Sequence, residues 1–304
     1  MRRTVKTVSI DVTSRCNLCC AHCYNASGGI GACDMSDGVL LRVAKEVIGF
    51  SPESVCLCGG EPMLRSNLTD IMDALRDSTT SVSMVSNGLL IDDDAAVSLK
   101  AHGLKAIQIS LDGAYAWQHD SLRGTVGAFA AAKRAICALQ KAGIEQVFAS
   151  MIPNRLNYRS LDAYCSLCYA LGVKTIKCMP FMPMGRGKAV GKPLILSEED
   201  MLRFQLSLFE LKERYAGLME IEWDDPVLTA RYLCERLQQG KSPLLLSISA
   251  NGDVNTDVYA PVKLGNLNRD SLDTLLNKGI EDARRQGRFT EILNCLHEIN
   301  DLGK

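Results

Sequence analysis

The sequence lacks several things, and each shortage removes a class of function. It has no surplus of charge: 34 Lys and Arg stand against 35 Asp and Glu, a formal net charge of −1. No global field therefore draws it to nucleic acid or to an anionic membrane. It has no apolar run near the roughly 18 residues of a membrane-spanning helix. Its basic start, MRRTVKTVSI, lacks the longer apolar stretch and small-residue cleavage site of a secretion signal. Nucleic acid and membrane are thus not expected as partners, and a cytoplasmic location is expected. There is no low-complexity segment and no short-period repeat. Cysteine is too sparse for a disulfide scaffold, thirteen in 304 residues against about 8–10 % in such chains. In a reducing compartment, cysteines that cluster serve as metal ligands or catalytic groups.

What is present begins with that clustering, since four of the thirteen fall within CNLCCAHC, residues 16–23. The chain is 47 % hydrophobic and long enough to bury a large core. Apolar strand-like runs lie at 7–13, 54–58, 81–86, 106–111, 146–152 and 175–181. Between them stand amphipathic patterns such as SDGVLLRVAKEVIGF and VGAFAAAKRAICALQKAG, several opening on Ser, Asn or Asp and closing at Gly. Six strands separated by helices predict parallel βα units with right-handed crossovers. The expected fold is α/β: a partial (β/α)6 parallel barrel over residues 1–190, then a small mixed α+β C-terminal extension over 191–304. The Gly- and Pro-rich MPMGRGKAVGKPLIL marks the exit, SEEDMLRF opens a capped helix, and LLLSISANGDVNTDVY reads as a hairpin about Asn251–Gly252.

Cys16, Cys20 and Cys23 form C-x3-C-x2-C directly after the first strand. Three thiolates on a loop can wrap three irons of a cubane cluster and leave the fourth iron open to a ligand. A zinc knuckle wants a fourth Cys or His at compact spacing, and Cys19 and His22 lie inside the motif. Three further stretches stand at predicted strand ends, the face where barrel folds gather active sites. They are CGGEPML (58–64), SNG (86–88) and SLDG (110–113). Gly59 and Gly60 let backbone approach a ligand with no Cβ in the way. Ser86, Asn87 and Ser110 offer short polar groups, and Asp112 offers an acceptor for ribose hydroxyls. Each is also a residue type that bonds locally to backbone.

With these motifs in place, residues 5–190 resemble the radical S-adenosylmethionine (SAM) superfamily. The resemblance implies a 4Fe–4S cluster on Cys16, Cys20 and Cys23, with SAM chelating the open iron. Reductive cleavage of SAM then gives a 5′-deoxyadenosyl radical that takes hydrogen from a substrate, with flavodoxin or ferredoxin as reductant. It implies that the Gly59–Gly60 strand end meets the SAM amino group, assisted by Glu61. Tyr24 is expected near the adenine, and Arg186 near a SAM or substrate carboxylate. Cys178 is the expected hydrogen donor, with Cys33 and Cys234 as rivals. Cys56 and Cys58 share one face of a strand, and Cys165 and Cys168 lie one helical turn apart; both pairs read as packing.

Residues 244–276 resemble the SPASM extension of peptide-modifying relatives, with Gly252, Val254, Leu264, Gly265, Asn266, Ser271 and Leu272 in place. Asp257 stands where a ligand cysteine is expected, and beyond residue 180 only Cys234 and Cys295 remain. One cluster is therefore expected in the whole chain. The leading expectation is modification of a ribosomally made peptide by epimerisation, crosslinking or excision. With no leader-binding domain ahead of the cysteine loop, peptide capture falls to the tail or to a separate leader-binding protein. The alternatives are radical chemistry on a sugar or nucleoside, and an iron–sulfur scaffold with little turnover.

Overall fold

The computed structural model describes residues 5–29, 33–76, 79–190, 193–259 and 261–293. In chain order the first elements are β1 (Thr7–Thr13), α1 (Asp37–Ile48), β2 (Ser54–Gly59), α2 (Leu68–Ala74), β3 (Ser81–Ser86) and α3 (Asp93–Ala101). Then come β4 (Ala106–Ser110), α4 (Ala116–Arg123), α5 (Ala128–Lys141), β5 (Gln146–Met151), α6 (Leu161–Ala170) and β6 (Thr175–Cys178). The remainder is α7 (Arg186–Val190), α8 (Glu198–Arg214), β7 (Glu220–Trp223), α9 (Pro226–Gln238), β8 (Leu245–Ile248), β9 (Asp253–Asn255), β10 (Lys263–Asn266), α10 (Leu272–Thr274) and α11 (Ile280–Arg285). Two compact units share these elements, one formed by Met1–Arg15, Gly29–Met84 and Pro226–Lys304, the other by Cys16–Gly28 and Val85–Asp225.

In the first unit the strand order is β10-β9-β8-β1-β2-β3. Alternation makes β1: Val8, Ile10 and Val12 are buried while Thr7 and Ser9 stay half open. It pairs in parallel with β2, Val8 opposite Val55 and Ile10 opposite Leu57, and β2 pairs in parallel with β3. The crossover α1 starts where Ser36 Oγ accepts from Val39 N at 3.4 Å. It buries Leu40, Val43, Ala44 and Val47, the i, i+3, i+4, i+7 stripe. Each fully buried Leu or Val of that stripe stabilises the fold by roughly 1.5–3 kcal/mol.

On the other edge of β1, β8 pairs in parallel, Val8 opposite Leu246 and Ile10 opposite Ile248. The expected hairpin follows, β8 and β9 antiparallel about Asn251–Gly252. Gly252 takes φ +88°, and Asn251 Oδ1 accepts from Asp253 N at 3.1 Å. Residues 191–304, read from the sequence as one extension, are thus divided: up to Asp225 they belong to the second unit, from Pro226 to the first.

The second unit has four parallel strands in sequence order, β4-β5-β6-β7. Here α5 lies against β4 and β5 and buries Ala132, Ala135, Ile136 and Leu139. The βα repeat runs one strand further than expected. From β6 the chain returns through α8, whose Ser197 Oγ accepts from Asp200 N at 3.2 Å, to β7, where Glu220 stands opposite Thr175. Cys165 and Cys168 of α6 are fully buried beside the equally buried Tyr164. Burial pushes the Cys165 thiol up to about 12, and this C-x2-C is core packing. The α/β, mostly parallel character read from the sequence is what is found. No helix among the described residues is long and apolar enough to cross a membrane.

Candidate functional site

The motif after β2 belongs to the first unit. Gly59 takes φ +121°, and a Cβ there would overlap the Thr13 carbonyl oxygen. A Cβ on Gly60 would overlap the Arg15 carbonyl oxygen, with Arg15 C at 2.5 Å and Ser14 O at 2.9 Å. Two hydrogen bonds make this approach, Gly60 N to Thr13 O and Glu61 N to Arg15 O, both 2.8 Å. The visible reason for the two glycines is therefore backbone meeting backbone, where the sequence suggested backbone meeting ligand. Glu61 is buried, and its Oε1 accepts from Met63 N at 3.2 Å, capping the turn Pro62–Leu64. The end of β1 is fixed by Asp34, which accepts from Thr13 Oγ1 and Ser14 Oγ at 2.5 Å and from Ser14 N at 2.8 Å. Burial works to raise the Asp34 pKa, but the Ser14 and Thr13 hydrogen bonds overcome it and leave it lowered.

The cysteine loop belongs to the second unit. Cys20 is buried, Cys16 and Cys23 are half-buried, Cys19 is exposed, and all four are free thiols. The loop turns on itself through Cys23 N to Cys20 O and Ala26 N to Cys23 O, both 3.3 Å. Arg186, expected at a carboxylate, clamps this loop: its backbone N donates to Cys23 O at 2.9 Å, Nε to Cys20 O at 3.0 Å and Nη1 to Ser27 O at 2.7 Å. Gly185 lies so close that a Cβ would overlap the half-buried Tyr24's carbonyl oxygen and stand 2.6 Å from that of Cys23. From α4, Leu122 O accepts from Ala21 N at 2.9 Å, and Asn87 Nδ2 donates to Asn17 Oδ1 at 2.8 Å.

Asp112 is the hub of this unit. Its Oδ2 accepts from Arg123 Nε at 2.6 Å and Nη2 at 2.5 Å, and its Oδ1 from Ile152 N at 3.0 Å. Burial works to raise its pKa, but Arg123 and the nearby His22 overcome that and hold it at about 2. Arg123 reaches on to Cys20, Nη1 standing 3.7 Å from Sγ. Ser86 Oγ accepts from Gly88 N at 3.0 Å and Asn87 Oδ1 from Leu89 N at 2.9 Å. Ser110, the last residue of β4, is buried opposite Ser150. The sequence reading found Asp112 but missed Arg123. The signal was there: a buried carboxylate at a strand end needs a counter-charge, and Arg123 closes α4 just before Gly124, a left-handed C-cap at φ +72°.

His119, also missed, accepts from Asp112 N through Nδ1 at 3.0 Å, while its Nε2 is buried without a hydrogen-bond partner. Burial lowers its pKa to about 4. Between pH 6.5 and 4 the unfolded chain takes up a proton that the native state refuses. Stability is thus complete above pH 6.5 and falls as pH drops through this window, by on the order of 3 kcal/mol. Thermal unfolding against pH should show this slope and show it flattened in His119→Asn; equal slopes would assign the proton elsewhere.

Cys178 is fully buried, and its thiol is pushed up first by burial and then by Cys165 and Cys168. It faces α6, whereas Lys177, one residue earlier, lies 5.0 Å over the Phe148 ring on the opposite face. Of its rivals, Cys33 is exposed and Cys234 is buried in α9; Cys295 lies outside the described residues. Cys56 and Cys58 do share a face of β2, their Sγ atoms 3.3 Å apart.

Among the described residues no three Cys, His, Asp or Glu side chains are placed to hold a single metal ion. The donor set of the loop is instead three separate thiols, one receiving a guanidinium N–H, with His22 Nδ1 and Arg186 Nη2 buried and unpartnered beside it. Soft sulfur donors beside a fixed cation fit an anionic iron–sulfur cluster.

The family model described as the radical SAM superfamily matches residues 10–168. The mycofactocin maturase MftC of Mycobacterium tuberculosis is 33 % identical over 180 residues, 59 % of this chain and 46 % of that protein. The Fe-coproporphyrin III synthase of Methanosarcina barkeri is 32 % identical over 227 residues, 74 % of this chain and 55 % of that one. The chain spans about half the length of these curated relatives. In fold it is similar to Streptococcus suis SuiB bound to the precursor peptide SuiA, with TM-score 0.75 at 14 % identity, covering 93 % of this chain and 67 % of that one.

Proposed function

Because this chain belongs to the radical SAM superfamily, whose cofactors are a 4Fe–4S cluster and SAM, we propose that it modifies a ribosomally made peptide. Those cofactors supply a 5′-deoxyadenosyl radical when bound; the chain's own residues bind, orient and shield. In this reading Cys16, Cys20 and Cys23 hold the cluster, and Arg186 keeps their loop closed by its bonds to Cys20 O, Cys23 O and Ser27 O. The observation that carries the peptide reading is the 33 % identity to a mycofactocin maturase. A flavodoxin or ferredoxin supplies the electron, and the tail or a separate protein captures the peptide. In the same reading Gly60 and Ser110 lie against SAM, each contact tested by the SAM affinity of its own variant.

A second reading has its own support, because the match to the Fe-coproporphyrin III synthase runs over more of the chain. It makes the substrate a small molecule of the tetrapyrrole class. Anaerobic turnover with SAM and dithionite separates the two. Peptides encoded beside the gene should change in mass and raise 5′-deoxyadenosine formation above its uncoupled rate. If Fe-coproporphyrin III alone raises it, the peptide reading fails.

In the described tail, Cys234 is buried in α9, and Asp257, at the expected ligand position, accepts from Tyr259 N at 2.8 Å. The reconstituted protein should carry roughly four irons per chain, the content of one cubane. A count near eight would place a second cluster in the tail.

A further inference from the structure

We infer that Arg123 sets the reduction potential of the cluster through Cys20. The inference rests on Cys20 being a cluster ligand and concerns what the second unit does with that ligand. Arg123 Nη1 lies 3.7 Å from Cys20 Sγ. A guanidinium is always protonated in a protein, and Asp112 pairs with this one at 2.5 Å. Hydrogen bonds to cluster sulfurs, burial and net charge set such potentials. Reduction adds one negative charge, so a nearby cation stabilises the reduced form more than the oxidised form.

Three features keep Arg123 at this post. Asp112 holds its Nε and Nη2 at 2.6 and 2.5 Å. The preceding residue, Leu122, accepts from Ala21 N within the cysteine loop. The following residue, Gly124, stands so close that a Cβ there would lie 3.3 Å from Cys19 O. The end of α4 is therefore docked on the loop, and the cation needs no rearrangement when the electron arrives. Arg186, the other guanidinium at the loop, donates Nε and Nη1 to backbone carbonyls instead of to sulfur.

Paired with each other, Arg123 and Asp112 act on the cluster with opposite signs. Losing the cation disfavours the added electron; losing the carboxylate leaves the cation unopposed and favours it. A role that only supports the loop would change iron content or melting temperature without giving opposite shifts.

The test is a redox titration with dithionite, followed by electron paramagnetic resonance, on anaerobically reconstituted full-length protein without SAM. Arg123→Gln should lower the equilibrium constant for reduction tenfold or more, about 59 mV for one electron. Asp112→Asn should raise it by a similar factor. Unchanged potentials, or shifts of the same sign, overturn the inference. If Arg123→Gln does not retain iron, Asp112→Asn decides alone: a rise supports it and no rise overturns it. The ligand assignment fails separately, since Cys20→Ala would then keep the cluster signal whatever the potentials do.

Discussion

Replacing Cys16, Cys20 and Cys23 together by Ala is expected to remove the brown iron–sulfur absorption and all SAM cleavage. Iron should fall from roughly four per chain to none, since a cubane needs three or four thiolate ligands. The loop should keep its shape in that variant, because apart from the Arg123 contact with Cys20 Sγ its bonds do not use the thiols. Arg186 bonds the carbonyls of Cys20, Cys23 and Ser27, Leu122 O accepts from Ala21 N, and Asn87 Nδ2 donates to Asn17 Oδ1. Loss of Cys packing costs of order 1 kcal/mol per site, so the melting temperature should move only a few degrees. A reducible iron–sulfur signal surviving in the triple variant would sink the ligand assignment.

The second large effect is expected at Gly60. Its missing Cβ makes room for the Arg15 carbonyl group and for Ser14 O, and Arg15 immediately precedes the first motif cysteine. Gly60→Ala must push apart two backbone segments joined by the 2.8 Å bonds Gly60 N to Thr13 O and Glu61 N to Arg15 O. Overpacking of this kind costs about 3 kcal/mol, and the displaced Arg15 should lower cluster occupancy as well as SAM affinity. Had the glycine served only the ligand, iron and melting temperature would stay at wild-type values while SAM affinity alone fell. Iron content, thermal unfolding and calorimetry on the one variant separate these outcomes.

The legible parts of this protein were those written in local sequence. The runs at 7–13, 54–58, 81–86, 106–111, 146–152 and 175–181 are β1 to β6 because each alternates or saturates in apolar residues over a strand's length. The Ser36, Asp92 and Ser197 caps were legible for the same reason, each accepting a hydrogen bond within three residues. Strand β7 was not: EIEW has two glutamates in four residues, and only its pairing with β6 makes it a strand. At the candidate site, the polar residues at strand ends were legible as types but not in their commitments. Asp112 is bound to Arg123 eleven positions away, and Arg186 reaches a loop 159 to 166 positions earlier. Such partners are chosen by tertiary approach, which no local pattern encodes.

The parallel pairing of β8 with β1 has a consequence for how the chain is made. Thr7 lies opposite Leu245, 238 positions later. At about 5–20 residues per second of synthesis, one edge of β1 waits roughly 12–48 s for its neighbour. Through that interval an apolar strand offers unpaired N–H and C=O groups to any other strand, the ordinary route to misassembly. A fragment ending before residue 245 keeps that edge open permanently, so the sixty residues from 245 onward cannot be trimmed as an ornament: their first strand, β8, covers the open edge of β1.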